Sequence, residues 1–298
     1  MAITVTQLTA FLAVVRRGSI TAAAEELVVT QPSVSAAVAS LGRELGCELF
    51  ERAGRSIRLT EAGAAFAPYA ADLVGLLEQG RQAAREAAGI TAHRLRIAAV
   101  TTAAESFVPT LMRAFSELHP DVELTLDVGN RQHVLERVLE HSADVAIAGR
   151  PPADERLAAE PLSDNEIVCI TARDDPLANA EPVPAGALQE RAWLLREEGS
   201  GTRALNLRYL TDSGVQPATL TLGSNGAIKQ AARAGLGVSL MSRAAAEVEL
   251  SAGLLGELLL VDPPPARPWF VLHSAVGPLR DVVGAFVAFS VSHRPSTM

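Results

Sequence analysis

The stretch Arg196–Glu197–Glu198–Gly199–Ser200–Gly201–Thr202–Arg203 holds the densest set of groups in the chain able to bind an anion. Its glycines relax the backbone so that successive amides can converge, Ser200 and Thr202 can donate, and Arg196 and Arg203 can neutralise charge. The same residues also admit a structural explanation, in which the glycines make a turn and the arginines pair with Glu197 and Glu198. No Gly-Lys-Ser/Thr follows, so nucleotide hydrolysis on a Walker-type loop is unsupported. Four further stretches could add donors to such a site: Thr101–Thr102, Gly129–Asn130–Arg131, Gly149–Arg150–Pro151–Pro152 and Ser224–Asn225–Gly226. The candidate anion-binding residues are therefore Thr101, Thr102, Asn130, Arg131, Arg150, Arg196, Ser200, Gly201, Thr202, Arg203, Ser224 and Asn225.

A second kind of chemistry is legible near the N-terminus. Gly18 to Gly46 reads as two short helices meeting at a tight joint. Ser19 or Thr21 can cap the first, which has a small apolar face of Ala22, Ala23 and Leu27. Thr30 can cap the second, with Pro32 tolerated in its first turn. Val34, Val38, Leu41 and Leu45 recur at helical spacing and face inward, and Gly46 suits a left-handed stop. The other side offers Thr30, Gln31, Pro32, Ser33, Ser35, Ala36 and Ser40, groups suited to reading base edges in a major groove. An ordinary αα-hairpin would share the periodicity. Downstream, Leu49–Phe50 and Ile57–Leu59 can pair as a small hairpin carrying Arg52, Arg55 and Arg58, which suit phosphate oxygens or a narrow minor groove.

The elements that must position these groups follow two patterns. Residues 4–17 form a first helix with Leu8, Phe11, Leu12 and Val15 on one side. Thr60 caps a long helix over about 61–89, whose stripe of Phe66, Leu73, Leu76 and Leu77 calls for a partner helix; Pro68 falls in its early turns, where a kink or interruption is expected. From Arg94 the pattern becomes βαβαβ, predicting a parallel sheet, and a second such lobe is predicted over about 167–266. The chain is expected to return to the first lobe at 268–274 and a helix at 279–292. Ligands of such lobes sit beyond the carboxyl ends of strands, near helix N-termini, where the five stretches above fall.

Composition narrows the classes. The chain has 298 residues, 48% apolar, and a net charge of −8, yet residues 1–60 hold six arginines against five acids. The local basic face, not the total, governs DNA affinity. No apolar run reaches about 18 residues and no signal pattern opens the chain, so a cytoplasmic protein is expected. Cys47 and Cys169 make neither a disulfide framework nor a metal set, and a buried inert thiol is favoured over a redox switch at Cys169. The histidines at 93, 119, 133, 141, 273 and 293 lack ligand spacing, and His133 and His141 are expected on a helix surface.

The N-terminal region resembles the LysR-type transcriptional regulators. The resemblance rests on Phe11, Gly18–Ser19, Ala22–Ala24, Leu27, Gln31–Ser35, Leu41, Glu44–Gly46, Leu49–Arg52 and Leu59–Gly63. It implies a winged helix-turn-helix domain (1–60), a dimerising linker helix (61–90) and a two-lobed α/β effector domain of the periplasmic-binding-protein type (91–298). Lobe I would span about 91–162 and 268–298, and lobe II about 163–267. The stretches 129–131, 149–152, 196–203 and 224–241 look most like those of regulators of RuBisCO operons, a subgroup associated with phosphorylated metabolites or NADPH; sulphur-assimilation regulators share the GSGTR loop. The resemblance implies a DNA-binding, non-enzymatic homo-oligomer, a dimer of dimers, without metal or resident cofactor. A small-molecule binding protein or enzyme built on the two-lobed domain is the alternative of another class.

Overall fold

The computed structural model describes residues 2–53, 56–178 and 181–293. The chain divides into two compact units, Met1–Thr91 with Leu139–Ser142, and Ala92–Val138 with Ala143–Met298.

The first unit comprises α1 (Val5–Arg17), α2 (Ile20–Leu27), α3 (Gln31–Leu45), the hairpin β1 (Phe50–Ala53) and β2 (Ser56–Leu59), and α4 (Glu61–Ala87). Each helix begins where a side chain satisfies its orphan amides. Thr4 and Gln7 form a capping box on α1, Ser19 caps α2, Thr30 caps α3 and Thr60 caps α4. Thr60 also donates to the Glu48 carbonyl at 2.7 Å, tying the start of α4 to the strand lead-in. Phe11 is fully buried, its ring 5.4 Å from Phe50 and 5.6 Å from Phe66, so one aromatic joins α1, the hairpin and α4. Gly63 lies against the Leu49 backbone, where a Cβ would come within 2.1 Å of the carbonyl oxygen. Arg16 and Arg17 both grip Glu26, fastening α1 to α2.

Helix α4 continues through Pro68, without the interruption that proline invited. Phe66 turns into the small core, while Tyr69, Leu73 and Leu77 stand 67%, 55% and 46% exposed at helical spacing. His141 corrects a surface expectation: the helix that carries His133 stops at Leu139, and His141 is buried with φ of 57°. Its ring nitrogens lie 2.9 Å from Asp72 Oδ1 and 3.1 Å from Gln79 Nε2. Glycine at 75 leaves the space that ring needs.

The second unit runs β3 (His93–Val100), α5 (Thr101–Ser106), α6 (Val108–Leu118), β4 (Val122–Gly129), α7 (Arg131–Leu139), β5 (Val145–Ala148), β6 (Leu157–Pro161) and β7 (Ile167–Ala172). It continues with β8 (Trp193–Arg196), α8 (Gly201–Asp212), β9 (Thr219–Leu222), α9 (Asn225–Arg233), β10 (Ser239–Ser242), α10 (Arg243–Ser251), β11 (Leu255–Leu258), β12 (Phe270–Ser274) and α11 (Asp281–Ser292). Lobe I is a five-stranded sheet, β4-β3-β5-β12-β6. Strands β3, β4 and β5 pair in parallel, as the alternating pattern requires, and β12 returns antiparallel between β5 and β6. Leu95, Ile97, Phe115, Ile147 and Phe286 form its core with α6 and α11.

Lobe II departs from a second parallel βαβαβ. Strand β8 pairs in parallel with β9, but β7 pairs antiparallel with β10 and β11. Val238, just before β10, bridges Trp193 and joins the two sets. Strand β7 lies between β10 and β11 and runs opposite to both, so it is the one reversed strand of that sheet. The two crossings hydrogen-bond to each other: Arg267 N–H donates to Asn165 O at 3.0 Å and Trp269 N–H to Ser163 O at 2.8 Å.

Among the described residues no helix is long and apolar enough to cross a membrane, and no group of three or more His, Cys, Asp or Glu could hold a metal ion. Cys169 is buried, and burial pushes its thiol up to about 12, which suppresses thiolate reactivity.

Candidate nucleic-acid interface and anion cleft

On α3 the periodic residues divide as their spacing requires. Val34 and Leu41 are buried; Thr30, Gln31, Pro32, Ser33, Ser35 and Ala36 are exposed, and Ser40 is half-buried. Pro32 removes an amide that has no helical partner, and Gln31 keeps its side-chain amide free to pair with an adenine edge. Thr30 is partly committed: its hydroxyl caps Ser33 and lies 2.8 Å from the Ser33 hydroxyl. The α2–α3 joint turns at Val28, which is 90% exposed with φ of 56° and ψ of 44°. A β-branched side chain in that left-handed conformation is strained, so a helix–helix angle is being held against local preference.

The wing carries Arg52 exposed and Arg58 70% exposed. Arg58 Nε lies 2.6 Å from Glu51 Oε1, its cross-strand partner, so contact with a phosphate would require it to give up a surface ion pair. Such a pair contributes ~0–1 kcal/mol and is readily exchanged. Arg55 lies outside the described residues.

The expected anion site gathers at a small cavity in the second unit, about 60 Å³, lined by Thr101, Thr102, Asn130, Arg131, Arg196, Ser200, Gly201 and Thr202. Hydrogen bonds close the lobes around it. Asn225, buried, donates from Nδ2 to Thr102 Oγ1 at 3.0 Å; Asn130 Nδ2 donates to Glu198 O at 3.3 Å, and Gln132 N–H to Gly199 O at 3.2 Å. Gly199 sits at φ of 79°, open to glycine and crowded for anything else. Ser200 caps α8, so the amides of its first turn and their dipole face the cavity.

Several assignments need correction. Thr101 and Thr102 do not form a loop; they open α5, and the Thr101 hydroxyl donates to Gly129 O at 3.3 Å. Arg196 lines the cavity, but its guanidinium is spent on Glu197 (2.7 and 2.9 Å) and on Asn225 Oδ1. Burial raises the Glu197 carboxyl, yet Arg196 outweighs this and holds it below the usual range. Of the arginine–acid pairs that the structural explanation called for, Arg196–Glu197 forms, while among the described residues Glu198 makes no ion pair. Arg203 points away, donating to Arg196 O at 2.9 Å and Thr221 Oγ1 at 3.3 Å. Ser224 caps α9, Asn225 braces the lobes and Arg150 is exposed, and none of the three is part of the lining.

Arg267 is the residue sequence reasoning missed. It lines the cavity from the second crossing, and its Nη1 donates to Gly201 O at 3.2 Å. Asn165, Ser242 and Trp269 complete that wall. Burial first, then the Arg131, Arg208 and Arg150 cations, push Arg267 below the ordinary guanidinium value. The only sequence signal is an arginine between two prolines at a lobe crossing, Pro265-Ala-Arg-Pro268. A larger cavity of about 630 Å³ lies beside α6 and α10, but Glu105, Asp164, Glu166 and Glu247 outnumber Arg243 there, a poor setting for an anion.

A capped helix-turn-helix with a basic wing, followed by a two-lobed α/β unit enclosing a polar cavity, defines a ligand-responsive DNA-binding regulator. Residues 5–64 match the family model of bacterial regulatory helix-turn-helix proteins of the lysR family, and residues 88–294 that of the LysR substrate binding domain. The chain is 36% identical over 293 residues to a RuBisCO operon transcriptional regulator of Allochromatium vinosum, covering 98% of this chain and 97% of that one. It is 37% identical over 284 residues to the transcriptional regulator CbbR of Rhodospirillum rubrum, covering 95% and 94%. Among solved structures, the CcmR regulatory domain of Synechocystis in complex with 2-PG superposes with a TM-score of 0.65 at 33% identity, covering 69% of this chain and 99% of that one. The chain belongs to the LysR family and is a DNA-binding transcriptional regulator.

Proposed function

We propose that this regulator senses a compact phosphorylated acid in the cleft of its second unit and controls carbon-fixation genes. The observation that carries the effector class is the pairing of Arg131 and Arg267 beside the Ser200-capped start of α8, around a cavity of about 60 Å³. Drug-sized ligands occupy pockets of roughly 300–1,000 Å³, so the closed cleft suits a single small acid and not a dinucleotide such as NADPH. The Synechocystis relative was solved with 2-PG, and the relatives named for RuBisCO operons cover nearly the whole chain; both support this reading.

In this reading the protein works in the cytoplasm and catalyses nothing. Gln31, Ser33, Ser35 and Ala36 read base edges, Arg52 and Arg58 hold phosphates, and the exposed Tyr69–Leu73–Leu77 stripe of α4 pairs with a second subunit, two such dimers making the tetramer. The effector must favour one subunit arrangement over the other to shift DNA binding.

The test is thermal denaturation of the full chain with 2-phosphoglycolate, sugar phosphates, sulphate, sulphite and NADPH. A ligand at a hundred times its Kd adds about 2.7 kcal/mol, a shift of several degrees. Stabilisation by phosphorylated acids supports the proposal; stabilisation by sulphur oxyanions alone moves the regulator to sulphur metabolism.

A further inference from the structure

Arg267 occupies a position that neither the glycine loop nor the helix cap explains. Its backbone belongs to the hinge, since its amide donates to Asn165 O on the other crossing at 3.0 Å. Its guanidinium belongs to the cavity, where Nη1 donates to Gly201 O at 3.2 Å and Nη2 lies 3.8 Å from where a Gly149 Cβ would stand. Arg131 also packs against Gly201: a Cβ there would lie 3.4 Å from Arg131 Cδ. Arg131 Nη2 in turn donates to Arg150 O at 3.0 Å.

Charge balance is the telling feature. Of the two acids in the loop, Glu197 is committed to Arg196, and Glu198 is exposed and does not line the cavity. Among the described residues, Arg131, Arg150 and Arg267 make no ion pair, and Arg267 and Arg131 have only carbonyl oxygens as hydrogen-bond partners. Burial and three neighbouring cations weigh against the charged form of Arg267. Arg131 and Arg267 are half-buried, and cations so placed without a counter-charge oppose folding. Such an arrangement persists when an anion completes it, and two cations in contact with one glycine call for more than one negative charge.

We propose that Arg267 is the charge-reading residue of the cleft: a compact dianion bridges Arg131 and Arg267 across Gly201 and, by engaging Arg267, pulls on the crossing that hinges the lobes. This rests on the anion-cleft reading above, but not on its metabolic assignment, because phosphate, sulphate and phosphomonoesters all satisfy it. Two consequences separate it from a merely structural role. A monoanion of similar size binds at least about tenfold more weakly, since it can satisfy only one of the two cations. Arg267→Lys keeps the charge but loses the planar fork that reaches Gly201 O and an anion together, so it recovers only part of the affinity.

The experiment is thermal denaturation of full-length wild type, Arg267→Gln and Arg267→Lys in chloride at constant ionic strength, repeated with inorganic phosphate, sulphate, nitrate and 2-phosphoglycolate. We expect Arg267→Gln to melt no lower than wild type in chloride, because a cation repulsion is relieved. Its stabilisation by dianions falls by at least about tenfold in apparent affinity, Arg267→Lys is intermediate, and nitrate stabilises none of the three. If wild type responds to sulphate or inorganic phosphate but not to 2-phosphoglycolate, and Arg267→Gln abolishes that response, the charge-reading role stands and the phosphorylated-acid effector falls. If Arg267→Gln melts lower in chloride with an unchanged dianion response, or if no dianion stabilises wild type, the role is overturned.

Discussion

The two units place their candidate functional side chains in opposite settings. On the first, Gln31, Ser33, Ser35, Ala36 and Arg52 are exposed and do not form the core that holds α1, α3 and α4 together. In the second, Arg196, Ser200 and Asn225 are each under a tenth exposed and brace the fold they serve. A surface that reads DNA can therefore be altered without touching stability. A cleft whose polar groups hydrogen-bond to one another cannot, because removing one leaves its partner buried and unsatisfied.

Asn225→Ala gives the largest effect expected from this contrast. It strips partners from both Thr102 Oγ1 and Arg196 Nη1, and is expected to cost about 1–3 kcal/mol in chemical denaturation. A change within ~0.5 kcal/mol, the range of ordinary surface substitutions, would show that the cleft is not internally braced.

On the DNA face the expected effects appear in binding alone. Gln31→Ala is expected to lose about 1–3 kcal/mol of discrimination at one base pair, measured by competition between matched and mismatched duplexes. Arg52→Ala is expected to weaken all duplexes alike and to lower the salt slope by about 1. Both should melt as wild type does.

The smallest effect sharpens the comparison in the other direction. Val28→Asn, at φ of 56°, is expected to stabilise the first unit by ~1 kcal/mol, because asparagine tolerates the left-handed region that valine resists. A loss of stability would mean that the exposed valine contributes something its left-handed turn does not reveal.

These settings also explain what could be read before the fold was known. The first unit is built from contacts close in sequence: Ser19 to Ala22, Thr30 to Ser33 and Thr60 to Gly63 are caps three residues long, and the β1–β2 hairpin pairs neighbours. Periodicity and capping chemistry therefore locate its helices and its polar face. In the second unit the alternation of strands and helices reveals the parallel part of lobe I and the return of β12, but three features escape it. The direction of β7 depends on partners some seventy or more residues ahead in the chain. The turn of Arg203 toward Thr221, and not the cavity, is set by where β9 packs. Arg267 meets Gly201 across a separation of 66 residues, from a proline-flanked irregular segment with no periodic pattern. His141 escapes for a related reason: a positive φ at a non-glycine residue leaves no mark in the sequence.

The central claim is that an anion in the second unit changes how the first unit binds DNA. The direct measurement is the affinity of the full-length protein for duplexes it selects from a random library, with and without saturating 2-phosphoglycolate at one fixed salt concentration. The account predicts sequence-selective, salt-sensitive binding whose affinity or occupied length changes with ligand, by about 5–150-fold in affinity where coupling is expressed there. Superimposable DNA-binding curves and footprints, under conditions where the ligand demonstrably occupies the protein, would contradict it.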